Sequence, residues 1–257
     1  MSLIDDAPRF PLSAPVNLRH LGGVEIPGGT IRDDFVIRAD DLSLADEDSA
    51  TRLVQSGVAT VIDLRSAAEV GATGRGPLGR MPVAYHHLPF LGSIGSAGLP
   101  AASDVFDQSR FEAMYIRMYE EAAPRIVTAL AVIATAPGTT AFHCAAGQDR
   151  TGVLAASLLL ALGAEHEAIV EDYARTAVNS QAVMDRIAPV MTSFLAELGI
   201  DLDQAARAAM RTEFSPAPMQ GLLRHLSSTY ADPLAPLRAA GLTDGLVAML
   251  RERALAA

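Results

Sequence analysis

Phe142-His143-Cys144-Ala145-Ala146-Gly147-Gln148-Asp149-Arg150-Thr151-Gly152 places a cysteine, five further residues, an arginine and a threonine between two segments of opposite character. Upstream, Thr139–His143 is short, β-branched and aromatic and follows Pro137-Gly138, which predicts a buried strand. Downstream, residues 151–162 are a run of apolar helix formers that Gly163 stops from the C′ position. A strand therefore delivers the chain into a tight loop, and a helix carries it away. Backbone N–H groups of Ala145, Ala146, Gly147, Gln148, Asp149 and Arg150 can curl around a tetrahedral anion, and the helix start adds unpaired N–H groups and the positive end of its dipole. Arg150 contributes a planar fork that can hold two oxygens of the same anion. These surroundings favour the thiolate of Cys144, the form that attacks. The stretch is a phosphate cradle with a nucleophile at its base.

Outward from the loop, residues 35–38, 58–64 and 83–88 have the composition of strands. Between the first two, residues 43–47 resemble a helix start with Ser43 as N-cap, and Gly57 ends that helix. Asp63 and Arg65 fall at the C-terminal end of their strand, the edge where open α/β sheets bind ligands, and the strand ending at His143 puts Cys144 on that edge too. The Asp63 and Arg65 pair has two readings: a support for the phosphate loop, or an ion pair that only organises the strand end. Residues 71–82, rich in Gly, Pro and Arg, are expected as a mobile loop, and residues 92–103 as a surface loop. Phe111, Met114, Tyr115, Met118 and Tyr119 recur at helical spacing, and residues 124–135 follow as a helix with proline at its first position. After Gly163 the pattern predicts helices over 165–174, 181–197, 203–211, 219–228, 233–239 and 243–255. The expected fold class is α/β, a central, mostly parallel sheet flanked by helices with extra C-terminal helices, in a single domain over residues 1–257.

The charge balance narrows the function. Lys and Arg number 20 against 30 Asp and Glu, a formal net charge of -10, which argues against nucleic acid as a partner and against stable membrane association. A phosphate-handling chain this acidic must concentrate positive potential locally, and Arg150, Arg65, Arg19 and the helix end are the places for it. The single cysteine, Cys144, allows no intramolecular disulfide and no zinc site, and the six histidines fall in no ligand spacing, so neither metal nor cofactor is expected. His86 and His87 point to opposite faces of their strand. Residues 1–15 carry Asp5 and Asp6 and no apolar core of a signal peptide, and the longest apolar run, 153–162, is far short of the roughly 20 residues that span a bilayer. A soluble, cytoplasmic protein is the expectation, with export by a route that needs no N-terminal signal left open.

Three more stretches carry a family signature: Asn17-Leu18-Arg19-His20-Leu21-Gly22-Gly23, Val61-Ile62-Asp63-Leu64-Arg65-Ser66-Ala67-Ala68-Glu69, and Asp172-Tyr173. With His-Cys-x5-Arg-Thr-Gly and an aspartate directly before the arginine, the sequence resembles the cysteine-dependent protein tyrosine phosphatase superfamily, in its atypical bacterial tyrosine and lipid phosphatase branch. The resemblance implies a tyrosine-phosphatase-like fold and a phosphoric monoester hydrolase working through a phosphocysteine. Its first substrate class is phosphotyrosine in a protein or peptide, with a phosphoinositide or a small phosphate ester as the alternative. Cys144 is the nucleophile, Arg150 the clamp, Asp149 the acid of that branch with Asp63 and Asp104 as runners-up, and Thr151 a donor to the sulfur. His143 orients the loop through backbone contacts, with Asp63, Arg65 and Arg19 in support. The resemblance also implies a helical lid over residues 176–218 and places Tyr115 near the site. Where the family usually has Asp, this chain has His20, read as a loop histidine bonding backbone. Two other classes stay open: a module that binds phosphorylated partners without turnover, and a sulfurtransferase, which normally lacks the Arg-Thr-Gly ending.

Overall fold

The structure, a computed structural model, describes residues 10–90, 108–197 and 214–255. In chain order these form β1 (Arg19–His20), β2 (Glu25–Ile26), β3 (Gly29–Thr30), β4 (Val36–Ala39), α1 (Glu47–Gln55), β5 (Val58–Asp63), α2 (Ala67–Thr73) and β6 (Ala84–His87). There follow α3 (Gln108–Glu121), α4 (Ala123–Thr135), β7 (Thr139–His143), α5 (Asp149–Leu162), α6 (His166–Ala174), α7 (Ser180–Glu197), α8 (Ala217–Thr229), α9 (Ala235–Ala239) and α10 (Asp244–Leu255).

The β-branched stretches pair into a sheet of order β1-β4-β7-β5-β6, in which β4, β7, β5 and β6 run parallel and β1 lies antiparallel on the edge. This is the mixed, mostly parallel α/β sheet that the sequence implies. Parallel neighbours need crossovers, and the helices supply them on both faces. Alternation along each strand divides the core. Val36, Ile62 and Phe142 pack with the large helical layer that includes α3, α4, α5 and α6, whereas Ile37, Val61 and Ala141 face a smaller layer built on Ala50 and Leu53 of α1. Within that layer and against the strands, α5 buries 12 of its 14 residues, as a helix that is apolar all round must. Gly163 ends it at φ +88°, with its N–H bonded to Leu159 and Leu160 carbonyls and Ala164 N–H returning to Leu159 O. The register sets Ala39, His143 and Asp63 level across the sheet, so three strand ends converge where the Cys144 loop begins.

Two sequence expectations are corrected. The N-cap of α1 is Asp46, whose carboxylate accepts from Ser49 N–H at 2.7 Å, and not Ser43. Ser43 sits instead in a short 3-10 turn, Leu42–Leu44, where its hydroxyl donates to Asp41 at 2.7 Å and is unavailable as a cap. The stretch expected as a mobile loop over 71–82 contains the end of α2 and a second 3-10 turn, Pro77–Arg80, with Pro77 and Leu78 buried. Gly74 and Gly76 punctuate the segment, but the Ser66 and Glu69 capping box starts a helix upstream of them. The expected loop over 92–103, the helix over 203–211 and Asp104 lie outside the described residues.

Because α5 is packed on every side, Leu158→Ala should cost about 2–5 kcal/mol of unfolding free energy, while Met249→Ala, 45% exposed on α10, should stay within about 0.5 kcal/mol. Chemical denaturation of the two variants measures the difference.

Candidate active site

From the buried end of β7 the chain turns so tightly that Gly147 takes a φ of +69°. A Cβ there would stand 2.6 Å from the carbonyl oxygen of Ala39, so the turn requires glycine. At the start of α5, the side chain of Gln148 in the N-cap position makes no capping bond. The first-turn N–H groups are thus left to a ligand.

The loop carbonyls are all engaged on the outer side. Ala145 O accepts from Asp41 N–H at 3.0 Å, Ala146 O from Asn17 Nδ2 at 3.1 Å, and Gly147 O from Arg38 Nη2 at 2.9 Å. In a trans peptide the next N–H points the opposite way. The N–H groups of Ala146, Gly147 and Gln148 are therefore turned from these partners to the inner side of the loop. Behind them, Asp172 accepts from Arg19 Nε at 3.0 Å and pairs with Arg38 Nη1, while Arg19 also donates to Asn17 Oδ1 at 2.7 Å. Burial and the neighbouring Arg38 pull Arg19 down to about 10. Burial opposes ionisation of Asp172, but Arg38 and Arg19 outweigh it and hold the carboxyl below its usual range.

Arg150 is 9% exposed and is held from behind by Glu69 in a bidentate pair at 2.6 and 2.8 Å. Glu69 thus occupies two of the five guanidinium N–H donors and leaves the edge that carries Nε–H and one Nη–H uncommitted to it. Burial alone would lower Arg150; Glu69 and Cys144 keep it above its ordinary value. Cys144 is buried at the base of the loop, and Thr151, next to Arg150, has a buried hydroxyl with no hydrogen-bond partner. Asp149 is half-buried and accepts a 2.6 Å bond from the Tyr115 hydroxyl.

The supporting residues divide into those that touch the loop and those that act through another. His143 is buried, and Leu42 N–H donates to its Nδ1 at 3.3 Å. The same Nδ1 stands 3.2 Å from the Cys144 carbonyl oxygen, the backbone contact by which His143 touches the loop, and burial favours the neutral ring. Arg65 is fully enclosed: Asp63 takes Nη2 at 2.6 Å, Asp41 takes Nη1 at 2.9 Å, and Ser43, Thr73 and Gly74 O complete its shell. Arg65 is thus matched by two carboxylates, whereas Arg19 shares the single carboxylate of Asp172 with Arg38. Through Asp41, whose N–H donates to Ala145 O, Arg65 is tied to the loop. As an acid, Asp63 is poorly suited: burial pushes it up, but His143, Arg65 and Tyr85 hold it well below the usual carboxylate range. His20 is exposed and its ring bonds the Asp33 carbonyl, a backbone bond as expected, but it stands on the edge strand β1 and not in a loop.

Three residues of the site were not singled out from sequence. Glu69 announces itself only as the last residue of Ser66-Ala67-Ala68-Glu69, the serine-x-x-glutamate pattern of a capping box. Arg38, 0% exposed on β4, is a charge inside a buried strand pattern and so demands a partner. Arg186 of α7 donates to Asp40 Oδ2 at 2.6 Å and Asp41 O at 2.9 Å, and nothing in its sequence neighbourhood signals this. Beside that clamp, Ile187, Val190 and Met191 share a small cavity with Glu69, Ala72 and Ala145. Among the described residues, no three His, Cys, Asp or Glu side chains are grouped to hold a metal ion.

Comparison with known proteins adds the following. Residues 10–256 match the model described as the tyrosine phosphatase family. The triple specificity protein phosphatase PtpB of Mycobacterium tuberculosis is 29% identical over 261 residues, spanning 86% of this chain and 91% of that protein. A protein of Cupriavidus necator named as a candidate tyrosine-protein phosphatase is 31% identical over 209 residues, 75% of each chain.

The Glu69 carboxyl, which burial would raise, is held below its ordinary value by Arg150. A depressed folded-state value means that its stabilisation is complete above the unfolded value near ~4.3 and is lost as pH falls through the folded one. Glu69→Gln should therefore flatten the acid limb of the stability profile below about pH 4. Urea denaturation at a series of pH values reads this directly; an unchanged acid limb would separate Glu69 from the acid sensitivity of the fold.

Proposed function

The chain belongs to the tyrosine phosphatase family, and on that premise we propose how its residues carry the phosphatase reaction. Cys144 attacks phosphorus in line as the thiolate; the S–P bond forms as the P–O bond to the leaving group breaks, and Asp149 protonates the departing oxygen. Water then attacks the phosphocysteine, Asp149 takes its proton, and the S–P bond breaks with the unpartnered Thr151 hydroxyl donating to the leaving sulfur. The N–H groups of the loop and Arg150 hold the equatorial oxygens throughout, as preorganised donors that need not reorient when charge shifts. The observation that carries the reading is the Arg150 and Glu69 pair: a guanidinium fixed from behind presents its remaining donors to the loop at one angle.

In this reading the enzyme acts on phosphotyrosine in proteins or peptides. Of the lid expected over residues 176–218, the described part up to residue 197 is proposed as lid, which the position of α7 against Glu69 and Ala145 supports, while residues 198–213 lie outside the described residues; the whole is proposed as one domain. No described helix is long and apolar enough to cross a membrane, and the compartment proposed is the cytoplasm. Gln148 bears on the alternative substrate. A lysine beside the arginine could meet a second phosphate of an inositide with a charge-assisted bond, whereas the amide offers only a neutral one, a difference on the order of 1 kcal/mol.

Cys144→Ser should retain less than about a hundredth of wild-type turnover on p-nitrophenyl phosphate while still binding inorganic phosphate. Greater residual activity would sink the covalent mechanism, and thiosulfate-to-cyanide transfer by the wild type would instead reveal a sulfurtransferase. Gln148→Lys should raise kcat/KM on a multiply phosphorylated inositide several-fold with little change on a phosphotyrosine peptide, and added salt should shrink the gain. Equal changes on both substrates would remove Gln148 from the choice.

A further inference from the structure

Two tyrosines to which the reaction assigns no task are linked to Asp149. Tyr115 on α3 and Tyr173 on α6 are 0% and 1% exposed, and their rings meet edge to face at 6.0 Å and 84°. A phenol buried this fully needs a partner for its hydroxyl. Tyr115 donates to Asp149 Oδ1 at 2.6 Å, the two phenol oxygens are 2.7 Å apart, and Gln148 Nε2 stands 3.5 Å from the Tyr173 hydroxyl.

Each hydroxyl has one proton to give. That of Tyr115 is committed to the carboxylate, so between the two phenols Tyr173 is the donor. The bonds then run one way, from Gln148 to Tyr173 to Tyr115 to Asp149. Burial and the Asp149 charge push Tyr115 well above its ordinary value and Tyr173 up to about 12, so both remain donors through neutral pH. The rings have little room to move. A Cβ at Gly152 would stand 3.1 Å from the Tyr173 ring, and Phe214 packs on its other contacts at a centroid distance of 5.1 Å.

We infer that Tyr115, backed by Tyr173, is the positioning residue of Asp149: it pins Oδ1 and leaves Oδ2 to carry the proton exchanged with the leaving oxygen. The inference rests on Asp149 being the acid. A half-buried carboxyl at the first position of a helix is free to rotate, and an acid contributes only while it stands within hydrogen-bond reach of the oxygen it protonates. Tyr115 removes that freedom without itself touching substrate.

The test compares kcat and KM of Tyr115→Phe, Tyr173→Phe, Asp149→Asn and the double variant Tyr115→Phe/Asp149→Asn on phenyl phosphate and on p-nitrophenyl phosphate. Asp149→Asn should slow the phenyl ester, with its poor leaving group, far more than the nitrophenyl ester. Tyr115→Phe should repeat that pattern on a smaller scale, about tenfold in kcat on the phenyl ester, the factor one ordinary hydrogen bond can supply, with KM unchanged. Tyr173→Phe should fall between Tyr115→Phe and wild type. In the double variant the tyrosine change should add nothing to Asp149→Asn, because the group it positions is gone. If Tyr115→Phe slows both esters equally, or adds its whole loss on top of Asp149→Asn, it has a packing role only and the inference is overturned. Should Asp149→Asn itself slow both esters equally, the acid assignment falls, and the inference with it. Melting curves that match wild type establish that the phenylalanine variants are folded.

Discussion

Asp172 stands between two buried arginines, and the shape of the phosphate loop depends on that arrangement. Arg38 is fully buried, and a buried guanidinium is tolerated only when its charge is paired; its two Nη groups are bonded while its Nε finds no partner. Asp172 supplies the charge, which frees Nη2 of Arg38 to hold the Gly147 carbonyl. Arg19, on the other oxygen of Asp172, orients Asn17, whose amide in turn holds Ala146 O. Side chains from β1, β4 and α6 therefore meet on the outer side of one loop. Its inner side is shaped by what they pull outward.

The network around the loop is balanced in charge. Arg19, Arg38, Arg65, Arg150 and Arg186 are matched by Asp40, Asp41, Asp63, Glu69 and Asp172, five cations against five anions. Attraction for a phosphate therefore cannot come from an excess of arginines at this place. In the proposed reading it comes from direction: N–H groups turned inward by the bonds on their carbonyls, the open end of α5, and the donors of Arg150 that Glu69 leaves. Such a site holds its carboxylates fixed by buried pairs, so the donors are aimed before an anion arrives. It also lets a chain of net charge -10 bind a dianion without a basic surface.

The reading from sequence located the loop, the strand and helix that bear it, and the sheet edge on which Cys144 and Asp63 meet, because each of these is a local pattern: a β-branched run, an apolar helix, a glycine stop. What it did not give are the contacts made across the fold. Arg38 and Asp172 are separated by 134 residues, and Arg150 and Glu69 by 81, so no periodicity within a window joins them. Tyr115 read as one of a stripe of core residues at helical spacing, and it is buried as such a residue is; that its hydroxyl meets Asp149 is a property of how α3 crosses α5. The assignment of Ser43 as a helix cap failed for a related reason. Its hydroxyl is drawn into the Arg65 cluster by a partner two positions away and by another thirty away, and the nearer Asp46 takes the cap.

The two readings of Asp63 and Arg65 converge once Glu69 is considered. In a capping box the glutamate bonds the backbone N–H of the cap residue, and Glu69 Oε2 does so with Ser66 at 2.7 Å while also accepting from Arg150 at 2.6 Å. The helix start and the arginine fork are thus held by the same oxygen. Ser66 follows Arg65, whose own N–H is fixed by Asp63 Oδ1 at 2.9 Å and whose carbonyl accepts from His87 at 2.8 Å. Arg65, Ser66 and Glu69 are therefore each tied down by hydrogen bonds between the end of β5 and the start of α2, and the angle of Arg150 inherits that rigidity. The ion pair organises the strand end and, in the proposed reading, supports the loop as well. It would act on a phosphate through Glu69 and Arg150, since Arg65 itself has no donor left to give.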